Sequence, residues 1–266
     1  MSEESTALWY SSGDGLSLFS RGYEGPSRRA PVLCLHDAAQ TSRVFRPIAR
    51  ELSATRRIVL PDLRGHGRSD YTIDLAGYTI DRLADDAARL LDVEEIRLAA
   101  VIGWGVGGVI ALQLAARQPE RISAIILVES GPELARQEMQ RQAQRALQAA
   151  TLDSWEAAEE ALPGAHLVLR DAGGRPSCDW DPLAPAALID SISEAQAWTL
   201  FDLLKSKPML AIRGAHSQAI DAQGFNAMAW RKPDLVRDIV EARQETRLFD
   251  APQTIEAMRA FLATCP

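Results

Sequence analysis

The chain is predicted to fold as a mostly parallel, doubly wound α/β sheet. Three observations predict it: seven short β-rich runs recur along the 266 residues, helical stretches separate them, and the rhythm breaks once, for one longer helical segment. Alternation of this kind places helices on both faces of the sheet.

Taken in order, "LSLFSRGYEG" from Leu16, "PVLCLHD" from Pro31, "RIVLPDL" from Arg57 and "IRLAAVIG" from Ile96 read as strands. "SAIILVES" from Ser123, "PMLAIRGA" from Pro208 and "DIVEA" from Asp238 complete the set. Between the third and fourth, "TIDRLADDAARLLDV" sets Ile80, Leu83, Ala84, Ala87, Leu90 and Leu91 on one face of a helix. The break covers 132–207: a helical "ELARQEMQRQAQRALQAATLDSWEAAEEAL", a turn-rich "RDAGGRPSCDWDPLAP" and a helical "SISEAQAWTLFDLL". It starts after one strand and ends before the next, so it is expected to be a lid over the C-terminal edge of the sheet, inserted in a single domain spanning 1–266.

Composition narrows the function classes. Hydrophobic residues make up 47% and charged residues 24%, an ordinary globular balance. A net charge of -7 without a basic cluster argues against a nucleic-acid surface. Cys34, Cys178 and Cys265 are odd in number and lack metal-ligand spacing, so neither a disulfide framework nor a metal is expected, and a reducing cytoplasm suits them. The polar opening "MSEESTALWYSSGDG" has no signal-peptide pattern. Leu98 to Ala116 is uncharged and long enough to imitate a membrane span, but four central glycines suit a buried strand turning into a helix better. A small molecule of apolar or carbonyl type is the expected partner; the sequence leaves the oligomeric state open.

The stretch "AAVIGWGVGG" carries the sharpest ambiguity. Gly103, Gly105 and Gly108 spell G-x-G-x-x-G after a strand and before a helix, with the acidic Glu129 about 20 residues on, as in a dinucleotide fingerprint. Such a fingerprint normally opens a nucleotide fold, whereas here several strands and turns come first.

Those earlier residues include "DLRGHGRSD", Asp62 to Asp70, and upstream "LHDAAQTSRVFRPIAREL"; downstream lie "MLAIRGAHSQAI" and "LFDAPQTIEAMRAFL". In this order the four motifs resemble those of the α/β-hydrolase family. The resemblance implies that "GWGVGG" is the nucleophile elbow G-x-S-x-G, with Gly105 where the family has its serine. It further implies that Gln218 stands at the acid position and Glu245 at the base position, so all three triad members are replaced and no cofactor is called for. Glycine cannot form an acyl-enzyme, glutamine cannot balance an imidazolium, and a carboxylate offers no imidazole.

A pseudoenzyme with a degenerate triad is therefore the leading expectation. The N–H groups of Val106 and Asp37 are expected to survive as an oxyanion hole, with Trp104, Glu129 and His216 around them, and Asp37 and Glu245 as candidate bases. An enzyme with a carboxylate-based site and a dinucleotide-binding protein stay open as alternatives. His36, His66, Ser69 and Asp70 are expected to be structural, and Trp104, Trp180, Trp198 and Phe201 either line a cleft or pack the core.

Overall fold

In a computed structural model, described for residues 5–26, 28–162, 165, 169–241 and 245–266 and by backbone alone at 245–247, one eight-stranded sheet organises the chain. Its strands are β1 (Ser5–Ser11), β2 (Ser17–Tyr23), β3 (Val32–Leu35), β4 (Ile58–Pro61), β5 (Ala99–Trp104), β6 (Ile122–Val128), β9 (Met209–Gly214) and β10 (Val236–Val240). The spatial order is β1-β2-β4-β3-β5-β6-β9-β10. From β4 to β10 all pairings are parallel; β2 runs against both its neighbours. β7 (Arg170–Asp171) and β8 (Pro176–Ser177) form a separate hairpin.

The period of two along each strand explains the double winding. Leu33 and Leu35 of β3, Val101 of β5, and Ile125 and Leu127 of β6 join one core, against α2 (Ile80–Val93) and α3 (Val106–Arg117). Their neighbours Val32, Cys34, Ala100, Ile102, Ile126 and Val128 face the other core, against α1 (Arg46–Leu52) and the C-terminal helix Pro252–Ala263. The face foreseen for α2 is buried in full, and Thr79 caps it by accepting the Arg82 N–H at 3.3 Å.

Two strands differ from expectation. β1 escaped the reading because it is an edge strand, mostly exposed, with no apolar alternation. β10 starts two residues before "DIVEA", since Val236 and Ile239 at the opposite edge are half exposed.

The stretch 132–207 contains α4 (Arg136–Ala149), α5 (Trp155–Ala161), the β7–β8 hairpin, α6 (Ala184–Asp190) and α7 (Glu194–Leu203). Ala146, Ala149, Ala158, Leu169 and Trp180 share a small core of their own, while Ala197, Trp198 and Phe201 of α7 belong to the main one. Trp180, Trp198 and Phe201 are therefore packing residues. A strap at 179–181 is stitched to the "RGHG" turn: Gly67 N–H donates to the Asp179 carbonyl and Asp181 N–H to that of Gly65, both at 2.6 Å. Arg43 pairs with Asp179 at 3.0 Å, and the Tyr78 hydroxyl donates to Asp181 at 2.8 Å. No described helix is long and apolar enough to cross a membrane.

The chain's end is held by a buried cation. Arg56, 1% exposed, donates to the carbonyls of Ala30 (3.1 Å), Cys265 (3.0 Å), Pro266 (2.8 Å) and Leu262. It caps the C-terminal helix from the end of α1, where carbonyls lack intrahelical partners. Arg56→Met is expected to cost about 3 kcal/mol, because buried acceptors lose charged donors. The check is a urea midpoint that falls with unchanged slope.

Candidate functional site

The chain leaves β3 to reach β4 on one side and returns to β5 on the other, so the topological switch point lies between the C-terminal ends of β3 and β5. Ligands of open α/β sheets bind at such a point. Leu35 pairs with Gly103, a register that aligns Asp37 with Gly105 two residues further on.

Gly105 adopts φ 53°, ψ -120°, between β5 and α3. This is a conformation glycine takes almost freely and other residues only under strain. A Cβ there would lie 2.7 Å from Asp37 Oδ2 and closer still to Cγ and Oδ1. The Asp37 carboxylate thus fills the space a side chain at 105 would need. Its Oδ1 accepts the Val106 N–H at 2.8 Å. The donor expected to receive a carbonyl is therefore taken by an internal carboxylate, which corrects the picture of an open oxyanion hole at Val106.

The loop that presents Asp37 is pinned from behind. His36 Nε2 accepts the Leu63 N–H at 2.9 Å, so Nδ1 carries the proton and donates to the Asp37 carbonyl at 2.8 Å. His66 sets one ring nitrogen 2.6 Å from the Ala38 carbonyl and the other 2.8 Å from that of Arg64. Both rings are fully buried, and desolvation pushes both imidazoles below their ordinary pKa, that of His36 further lowered by His66. They are structural groups, as expected. Asp62 anchors the motif by accepting the N–H of Ser42 (2.9 Å) and of Arg68 (3.0 Å). Gly67, at φ 57°, has no room for a Cβ beside that carboxylate. Ser69 and Asp70 bind beyond their own turn, accepting the N–H of Phe19 and Ser17 on or beside β2.

Glu129 follows β6 directly at φ 47°, a left-handed position for a non-glycine residue, and its side chain is fully buried. It accepts the Gly214 N–H and the Ser217 hydroxyl, fastening the loop after β9. Next to it, Ser130 donates to the Gly105 carbonyl at 2.6 Å. Neither serine was singled out from the sequence; Ser130 follows the acid directly after a central strand, the signal that could have marked it.

The other candidates scatter. Trp104 points away from the switch point: as an even-numbered residue of β5 it shares a face with Ala100 and Ile102 and stacks edge-on against Phe249 at 5.3 Å. It is a core residue, not a ligand contact. His216 is 75% exposed and pairs with Glu241 at 3.6 Å, outside the cluster. Gln218 is exposed and lines an open cleft of about 650 Å³ with Pro132, Arg136, Glu138 and Glu194. Glu245 begins a short 3-10 helix running to Asp250; its side chain lies outside the described residues. Among the described residues no group of three or more His, Cys, Asp or Glu is arranged to hold a metal.

Residues 30–246 match the family model described as alpha/beta hydrolase fold. The chain belongs to the α/β-hydrolase fold family. An α/β-hydrolase crystal structure from Novosphingobium aromaticivorans is 30% identical, with 99% of each chain covered and a TM-score of 0.82. A 2-hydroxymuconate semialdehyde hydrolase of Pseudomonas sp. is 41% identical over 103 residues, 38% of this chain and 36% of that protein. Lipase LipV of Mycobacterium tuberculosis is 36% identical over 105 residues, 40% and 39% of the two. The match thus spans about two fifths of these curated α/β-hydrolase relatives. Within the α/β-hydrolase fold the three glycines of the dinucleotide-like motif have packing reasons: Cβ atoms at Gly103 and Gly108 would lie 2.5 Å from the Gly108 nitrogen and 2.6 Å from Ser130 Cβ, and Gly105 forms the turn.

Proposed function

We propose that this α/β-hydrolase-fold protein does not perform serine-nucleophile hydrolysis and acts as a pseudoenzyme that binds a small molecule at the C-terminal edge of its sheet. One observation carries the reading: the nucleophile's space at the elbow is occupied by the Asp37 carboxylate, which also holds the Val106 N–H. A negative group on that N–H opposes the oxyanion that acyl transfer must stabilise there. The replacements at Gly105, Gln218 and Glu245 point the same way, with the triad positions assigned from the family pattern. The cleft of about 650 Å³ beside Gln218 offers room for a small ligand. An internal carboxylate at the head of α3 also disfavours a pyrophosphate there, which weakens the dinucleotide alternative.

The same carboxylate supports a second reading, an enzyme that uses Asp37 or Glu245 as a base. Hydrolysis of an activated short-chain ester separates the two. The parent, Asp37→Asn and Glu245→Gln are all expected to match the buffer blank. Turnover by the parent that disappears in either amide variant would replace the proposal with the carboxylate-based enzyme.

A further inference from the structure

We infer that the outer edge of β10 is a contact surface for a second copy of this chain, paired antiparallel about a two-fold axis at Ile239. The edge lies three strands from β5, so this pairing is independent of what the elbow does.

β10 ends the sheet, and among the described residues no strand pairs with its far side. Free N–H and C=O groups on an edge invite another strand, and natural edges are commonly kept polar or covered to prevent it. This edge is apolar where it is bare, with Val236 and Ile239 half exposed. The Val240 carbonyl turns inward, to the Ala215 N–H at 2.9 Å, so the backbone groups of Arg237 and Ile239, which alternate with it, turn outward. The exposed Gln253 side chain holds the outward Ile239 carbonyl at 3.1 Å, the place that an Ile239 N–H from the second copy takes on pairing.

Symmetry and charge select one register. A two-fold pairing must be self-complementary, and like charges directly opposite each other are unfavourable. An axis at Arg237 brings two guanidiniums face to face, and one at Asp238 two carboxylates. With the axis at Ile239, two isoleucines meet at the centre and Arg237 stands opposite Glu241 of the second copy, twice. Arg237 and Ile239 share the face of β10 that meets α8 (Ala222–Arg231), where Arg237 donates to the Asn226 side-chain oxygen at 2.9 Å. Trp230, one turn beyond Asn226 on that side of α8, is 82% exposed and extends the surface beyond the strand. Five paired residues bury less than a stable dimer needs, and a tryptophan beside them supplies the kind of anchor that interfaces use.

The test is sedimentation equilibrium of the full chain across micromolar concentrations. The parent should approach twice the 29.1 kDa chain mass as concentration rises. Arg237→Glu and Glu241→Arg should each raise the dimer Kd by roughly tenfold or more, because each reversal acts at two symmetric sites. Mixed in equal amounts, the two variants should pair with each other at the parent's affinity, since every reversed charge then meets its complement. If circular dichroism shows Arg237→Glu misfolded through loss of its Asn226 contact, Ile239→Asp takes its place and should leave only monomer. A parent that stays monomeric overturns the inference. So does a dimer that survives the single reversals or Ile239→Asp, and so do folded single variants that fail to pair on mixing.

Discussion

Gly105→Ser is expected to leave ester hydrolysis at the blank rate and to lower the unfolding free energy by roughly 2–4 kcal/mol. Two costs add. A serine must hold φ near the 53° that glycine adopts here, and its Cβ must displace the Asp37 carboxylate. Restoring the nucleophile alone supplies neither an imidazole nor its supporting acid, so no activity accompanies the loss. The clash and the strain can be told apart by a double-mutant cycle. Gly105→Ser combined with Asp37→Gly should recover at least about 1 kcal/mol relative to the sum of the single changes, because the second substitution removes the obstacle created by the first. Strictly additive urea midpoints would show that Asp37 does not occupy the serine's place.

The second large effect lies in the "RGHG" turn. Arg64, 1% exposed, makes paired bonds to Asp86 (2.6 and 2.8 Å) and Asp14 (2.8 and 3.0 Å) and a fifth to the Gly77 carbonyl at 3.2 Å. Arg64→Met is expected to destabilise by about 3–5 kcal/mol, since the buried Asp86 loses its counter-charge. The pH dependence carries a signature. Hydrogen bonds from Arg64 hold the Asp14 carboxyl at about 2, below its ordinary 3.8, against a smaller opposing effect of burial. A depressed carboxylate pKa contributes stability that is complete above the ordinary value and is lost as pH falls through the depressed one. The Asp86 shift has the opposite sign: burial raises its carboxyl against the lowering pull of Arg64, so losing Arg64 raises it further, and the variant gains more than the parent as Asp86 takes up its proton in acid. The stability gap between parent and Arg64→Met should therefore narrow between pH 4 and pH 2. Urea midpoints at three pH values would read it, and a gap independent of pH would exclude the clamp.

Much of the scaffold was legible in local pattern. The α2 face follows from a period of 3.6, the central strands from short β-rich apolar runs and the strand-to-helix turn at Gly105 from glycine's backbone freedom, properties that travel with a few consecutive residues. β1 was missed because an edge strand need not be apolar. For Trp104 residue identity allows either a cleft wall or the core, and strand parity decides it by turning the ring toward Phe249. His216 stood one residue from Ser217, yet the loop turns one side chain inward to Glu129 and the other out to solvent.

The sequence by itself determined the fold family and the absence of a serine at position 105, because motif order and residue identity do not depend on where distant segments meet. What only the tertiary structure decided is what took the serine's place. Asp37 and Gly105 are 68 residues apart, and nothing local brings them together; the parallel register of Leu35 with Gly103 does, setting a carboxylate from one strand's end into the side-chain space left open at the end of the next.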